Sequence, residues 1–405
     1  MAKPASNHDP VHEPEFCPNP HCRFHNPEDA SKSVWFIKRG TFYTNARGWI
    51  HRFSCSECGK SCSTQTFSLH YWTHSTVDFE MVDNRMYACS GYRQIGRDMA
   101  LSYNVLKNRQ QRLARNYLNL FDAALSDFPL PENIAFDGFE SYLRSQNFPN
   151  NFNIAVGCES RIPYVFNLAL MRRKGRMTEK QKQKRDTIDQ VWRPRERELI
   201  ERAKEVFREI FALYLNRPTL TPFTLYTDQK TEYVVALKEL PEAVHLSEIG
   251  LFVHKTTSSR AERTIENPLF PVNYMDREIR KNSSSHTRET VRADHEANMA
   301  SAKMLIVFGH HTFRKPFKIN NILDIDAQET HADKVHLLES RDARNAFKRL
   351  YTHRHVWSHQ KMKALWCEQI WQMKEENPPI IDFTTGVAYE KGQPGSGWRA
   401  KHLIA

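Results

Sequence analysis

Cys55 and Cys58, in CSECGKSC, form a C-x2-C pair, and Gly59 beside them suits the tight turn that brings backbone N–H groups to the sulfurs. A second pair, Cys17 and Cys22, lies upstream in CPNPHC. Two such pairs are the ligand set of a tetrahedral zinc ion. Four thiolates leave no open coordination position, so this reading makes the zinc structural. Cys62 and His25 lie close by, and either could replace one member of the set. A set of free buried thiols is the plainer alternative.

Three acids carry a second kind of chemistry. Apolar residues in NIAFDGFESYL alternate up to Asp137, and PFTLYTDQKTEYVVAL runs a short apolar strand into Asp228. An acid within a strand is costly unless it faces a cleft or a metal. Two strands that deliver aspartates toward one edge can hold Mg2+, a hard cation that takes oxygen ligands. A third carboxylate should come from later in the chain. Asp276, in NPLFPVNYMDREIRK, is expected near the start of a helix, with Arg280 on the same face four residues on, where it could neutralise phosphate. Glu278 and Glu289 are rivals, and an acid at a helix start can simply be a partner of the helix dipole.

The elements that must position these groups follow from the patterns between them. SVWFIKRGTFYT and GWIHRFS read as two strands around the turn NARG, with Trp35, Trp49 and Phe53 as core. Met81, Met86, Tyr87 and Ala88 belong to a first helix. YRQIGRDMA is a short second helix, ALS a tight turn, and YNVLKNRQQRLARNYL a longer third, capped by Ser102. Ile95, Met99, Leu101, Val105 and Leu106 fall where a three-helix core needs apolar groups, and Cys89 reads as a small buried residue of this module. This is a helix-turn-helix pattern, and Asn104, Lys107, Asn108, Arg109, Gln111 and Arg112 are the outward side chains that would meet base edges or phosphates. An ordinary solvated helical hairpin gives the same pattern.

Further on, NIAFDGFESYL, NFNIAVGCE and IPYVFNLALM suggest an antiparallel meander. MRRKGRMTEKQKQKR, dense in Lys and Arg, reads as a solvated loop or arm, with Arg172, Arg173, Lys174 and Arg176 as phosphate contacts. RERELIERAKEVFREIFALYLN is a helix with Leu199, Ala203, Val206, Phe207, Ile210 and Phe211 on its buried stripe, and HLSEIGLFVH is strand-like. ARNAFKRLYTHRHVWSHQKMKALWCEQIWQMK is an exposed basic helix with Phe347, Leu350, Trp357, Leu365 and Trp366 for contacts, and EKGQPGSGWRAKHLIA is a mobile tail.

The 405 residues allow two to four domains, and a hydrophobic share of 40% is enough for a substantial core. A net charge of +11 favours a polyanionic partner, nucleic acid before a membrane surface. A run of apolar residues long enough to span a bilayer is lacking, and MAKPASNHDPVHEPEF has no apolar signal core. Eight unevenly spaced cysteines without an export signal point to reduced thiols rather than disulfides, as in the cytoplasm.

In order, CPNPHC and CSECG, the helix-turn-helix, FDGFESY, RRKGRMT, LYTDQKTEY and NPLFPVNYMDREIRKNSSSHTRETVR resemble prokaryotic insertion-sequence transposases of the DDE or DDD type. The likeness spans roughly residues 15 to 320. It implies a multidomain α+β or α/β chain: a zinc ribbon over 15–75, a helix-turn-helix over 76–125, an RNase H-like catalytic domain over 130–320 with a basic, helical insertion at about 172–218, and a C-terminal helical extension and tail over 321–405. Asp137 matches the first acid, Asp228 the second and Asp276 the third, which is often glutamate in wider relatives. These imply two Mg2+ or Mn2+ ions about 3.5–4 Å apart and in-line phosphoryl transfer, nicking the element end and then joining it to target DNA. Tyr142, Tyr226 and Tyr233 are read as packing residues, since no covalent intermediate is needed. DNA ends, target DNA and at least a dimer on DNA are the implied partners. A DNA-binding regulator with an inactive nuclease-like domain would carry the same ribbon and helices, and a nuclease that cuts without joining would share the site.

Overall fold

The structure is a computed structural model describing residues 14–45, 47–287, 292–318, 328–354, 377–383, 385 and 387–389. The chain is mixed α and β and divides into two compact units. One comprises residues 1–86, 92–124 and 338–365, the other 87–91, 125–337 and 366–405.

In the first unit a short helix, α1 (Pro27–Ser31), precedes a three-stranded antiparallel sheet of β1 (Phe36–Thr44), β2 (Gly48–Cys55) and β3 (Ser61–Ser63), in the order β1-β2-β3. Trp35, Phe53, Phe24 and Cys62 form a small core with Cys17, Cys22 and Cys55. Trp49 departs from the expected core position: it is 66% exposed near the end of the hairpin, where its ring meets that of Tyr43 edge to face. Three helices follow: α2 (Phe79–Tyr87), α3 (Tyr92–Asp98) and α4 (Tyr103–Leu125). Ile95 and Leu106 are fully buried, whereas Met99, Leu101 and Val105 are half-buried. The α3–α4 turn requires a glycine at 96, since a Cβ there would meet the Leu101 carbonyl oxygen at 2.6 Å. Ser102 begins α4, its hydroxyl accepting from Val105 N–H at 3.4 Å. Cys89 is half-buried just past α2, not a core residue. The helix Arg341–Lys348 belongs to this unit, and the expected contact residues Trp357, Leu365 and Trp366 lie outside the described residues.

The second unit is built on a five-stranded mixed sheet. The meander of β4 (Ile134–Tyr142), β5 (Pro149–Gly157) and β6 (Pro163–Leu170) is antiparallel, and β7 (Phe223–Asp228) and β8 (Phe252–Thr257) add in parallel, giving the order β6-β5-β4-β7-β8. The basic run is only partly loop. Thr178 caps α5 (Glu179–Val191) through a reciprocal capping box with Gln181, so the local sequence starts a helix that charge density alone concealed. On α6 (Glu198–Leu215), Ala203, Val206, Phe207, Ile210 and Phe211 are buried at helical spacing, and Leu199 is half-buried. Phe207 and Tyr233, the latter on α7 (Thr231–Lys238), both pack on Phe136 of β4. Each such buried aromatic contributes about 1.5–3 kcal/mol.

His245–Glu248 is not strand. It ends α8 (Pro241–Glu248), whose first turn is set by Pro241, and β8 starts only at Phe252. Against the other face lie α9 (Phe270–Asn282) and α10 (Ala297–Phe313); Phe166 of β6 meets Phe308 of α10 edge to face. α10 is buried nearly all round, as a core helix should be. No helix among the described residues is long and apolar enough to cross a membrane. The tail 390–405 lies outside the described residues.

Candidate metal centre and acidic site

In the first unit two turns carry the four cysteines. The first closes by Cys22 N–H donating to the Asn19 carbonyl, and Asn19 N–H reaches the Cys17 sulfur at 3.5 Å. The second closes by Gly59 N–H donating to the Cys55 carbonyl, with Gly59 at φ +69°. Cys17 and Cys58 Sγ are 3.6 Å apart, Cys22 and Cys55 Sγ 3.7 Å, and all four sulfurs lie within 4.8 Å of one another. Zinc–sulfur bonds of about 2.3 Å in a tetrahedron set neighbouring sulfurs about 3.8 Å apart, so the cluster can hold a metal such as zinc. His25 stands aside, its Nδ1 donating to the Cys17 carbonyl at 2.8 Å. Cys62 packs in the adjacent core, where burial and then the neighbouring Cys55 and Cys58 push its thiol up to about 11. Burial drives the Cys17 thiol up. At Cys58 burial opposes ionisation, but the Lys60 backbone N–H, Asn19 and its neighbouring cysteines outweigh it and bring the thiol down to about 7.

In the second unit, β4 and β7 lie side by side with Phe136 opposite Thr227, so Asp137 and Asp228 follow one another on adjacent parallel strands. Both point to the sheet face opposite Phe136, the face on which α9 packs. Asp137 accepts from Gly138 N–H at 2.7 Å and Asp228 from Lys230 N–H at 3.0 Å. Burial, then the Asp228 charge, raises Asp137 to about 6. Burial, then the Asp137 charge, raises Asp276 to about 7 against the pull of Arg280 and Arg263. The three acids therefore share one electrostatic neighbourhood, although their oxygens do not all fall within 4.8 Å of one another. Lys230 beside Asp137, and Arg280 and Arg263 beside Asp276, offset part of this acidic charge.

Asp276 is not near a helix start. α9 begins at Phe270, with Pro271 in its first turn, which leaves Asp276 in mid-helix and beyond the helix-dipole explanation. Glu278 is buried and engaged: Lys315 Nζ donates to it at 2.6 Å and Asn282 at 3.1 Å. Glu289 lies outside the described residues. Arg280 lies over the Phe139 ring at 4.6 Å. Sequence reading missed Lys230, which stands 3.9 Å from Glu140 and over the Tyr233 ring; its only signal was its place two residues after Asp228.

The residues expected to meet DNA divide. Asn104 and Asn108 are exposed on α4 and Lys107 is half-buried. Arg109 is not outward: it is 3% exposed and donates to the Ser75 carbonyl at 2.9 Å. Arg112 likewise turns back, to the carbonyls of Leu69 and Tyr71. Arg172 pairs with Asp189 and Arg173 donates to Asn147, while Lys174 and Arg176 are exposed. No known family model and no curated protein matches this chain.

Proposed function

We propose that this chain is a divalent-metal-dependent DNA transposase of the DDE type, with an RNase H-like catalytic unit behind a zinc ribbon and a helix-turn-helix. The observation that carries the reading is the juxtaposition of Asp137 and Asp228 on adjacent parallel strands, with Asp276 arriving on α9 over the same face. The five-stranded mixed sheet in the order β6-β5-β4-β7-β8, flanked by helices, supports an RNase H-like reading. The short turn between α3 and α4, which folds back onto Gly96 of α3, supports a helix-turn-helix.

Asp137, Asp228 and Asp276 would hold Mg2+ or Mn2+, which supplies Lewis acidity and an activated oxygen nucleophile for in-line displacement at phosphorus. The chain's own residues prepare that chemistry. Gly138 and Lys230 N–H groups orient the two strand carboxylates. Arg280, one turn after Asp276 and acting on its carboxylate, would meet phosphate charge beside them. Tyr233 packs on Phe136, as a packing residue should.

The test is incubation of the purified protein with DNA bearing candidate element ends and Mg2+ or Mn2+. Strand transfer identifies a transposase, cleavage alone a nuclease, and binding alone a regulator. Asp228→Asn should abolish cleavage and leave DNA binding intact; normal cutting by that variant would refute the active site.

A further inference from the structure

The segment Leu69–Val77 connects the ribbon to α2 in the first unit and is clamped from its carbonyl side by arginines. Arg112 donates to the carbonyls of Leu69 and Tyr71 at 2.9 and 2.7 Å, Arg47 to those of His70 and Thr73, and Arg109 to that of Ser75. Arg354 stacks on the Tyr71 ring at 3.8 Å and donates to the Thr66 carbonyl. Four guanidinium groups thus gather around one loop, and among the described residues the hydrogen-bond partners of Arg109, Arg112 and Arg354 are carbonyls, a hydroxyl and an amide oxygen. Arg109 is buried and the other three are half-buried, so the cluster acts on a polyanion through its field and not by contact.

At the centre of the loop, Trp72 is 82% exposed with φ +55°. A bulky residue in the left-handed region is strained, and an indole left in water loses its burial energy, so this frame holds Trp72 in an unfavourable, outward position. Two more aromatics, Tyr43 and Trp49, are 60% and 66% exposed and meet edge to face at 5.5 Å across the hairpin. They flank the turn that supplies Arg47, so the hairpin end and the Trp72 loop are tied together.

We propose that the hairpin end and the Trp72 loop form a stacking platform for an unpaired DNA strand, with Trp72 as its principal ring and the arginine cluster as its electrostatic seat. Exposed ring faces bind bases whose own faces are free, which a duplex offers only at its ends. The inference deepens the DNA-acting reading above and rests on it.

Fluorescence anisotropy with a labelled oligodeoxythymidine strand and with a closed hairpin duplex tests it on the full chain, with zinc content as the check on folding. Trp72→Ala should weaken binding to the unpaired strand roughly tenfold, while Trp72→Phe retains most of it and duplex binding changes less than about twofold. Trp49→Ala should give a smaller loss on the same probe. Equal losses on both probes, unchanged strand binding in both alanine variants, or a change in self-association with DNA binding unaltered would each overturn the platform. The two readings fail separately. A wild type that cleaves ends but ignores the unpaired strand loses the platform alone, and one that binds the strand but never cleaves loses the catalytic reading alone.

Discussion

Replacing Asp276 by asparagine should stabilise the metal-free protein, and the gain should grow with pH. Burial and the nearby Asp137 charge raise the Asp276 carboxyl from its ordinary 3.8 to about 7. Between those values the folded state keeps a proton that the unfolded state has released. Stability from this group is therefore complete below pH 3.8 and is lost as pH rises through 7. At about 1.4 kcal/mol per pH unit the full loss is about 4 kcal/mol, and because the side chain is only half-buried, solvent screening cuts this to about 2 kcal/mol. Asparagine keeps the shape and removes the titration. Hydrogen exchange of peptides covering Ile134–Tyr142 and Phe270–Asn282 is the suitable assay, since a chain of two units has no single unfolding free energy. In buffer free of divalent cations, Asp276→Asn should show more protection than wild type at about pH 8, and the margin should shrink at about pH 5. Adding Mg2+ should then protect wild type and not the variant. A variant less protected than wild type at about pH 8, or a margin that ignores pH, would refute the claim that these acids repel one another.

Three further outcomes follow from other parts of the chain. Gly138→Ala should destabilise β4 and β5 by about 1–3 kcal/mol, because its Cβ would meet the Asn151 amide at 2.3 Å and disturb the buried chain from Asn151 through Asn153 to Asn167; unchanged exchange in these strands would count against it. Cys22→Ser should lower bound zinc from one ion per chain to none and unfold the ribbon, with on the order of 10 kcal/mol of metal-coupled folding energy at stake, as read by zinc titration and by protease cleavage within residues 36–63. His286 and His331, both held down to about 4 chiefly by burial, are neutral in the fold, so stability they confer is present above pH 6.5 and lost as pH falls toward 4. Each accounts for about 3 kcal/mol, and His331→Gln should flatten acid unfolding of the second unit over that window.

The strands that carry Asp137 and Asp228 were legible because alternation and a following helix start are local signals: β7 ends at Asp228 and α7 begins at Thr231, as the pattern required. The four cysteines were legible because a tetrahedral metal site calls for two close pairs, a signal local to each turn. What escaped depended on neighbours distant in sequence. Trp49 looks like core by type, yet at the end of the hairpin it meets Tyr43 and stays 66% exposed. Arg109 and Arg112 look like outward helix residues, yet carbonyls about 35 to 45 residues earlier draw them inward. The start of α9 was misplaced because Asn267 to Phe270 form a turn before Pro271, and Pro271 sits at the first helical positions where its missing N–H does no harm.

That placement of α9 explains why Asp276, not Glu278, belongs to the acidic site. Residues two apart on a helix are separated by about 200°, so the two acids cannot serve one cleft. Tyr274, Glu278 and Asn282 follow one another at i, i+4 and i+8 and form one face; Lys315, just beyond α10, donates to Tyr274 and Glu278, and Asn282 donates to Glu278. Asp276 and Arg280 form another, with Arg280 over Phe139 of β4 and Asp276 within the field of Asp137. The buried ion pair fixes the rotation of the helix, because turning it would leave Lys315 and Glu278 desolvated and unpaired. An aspartate has one methylene fewer than a glutamate with which to reach a shared site. Its carboxylate depends closely on where the backbone sits, so the Glu278–Lys315 pair, with buried Met275 and Ile279, helps to set where Asp276 stands on the helix.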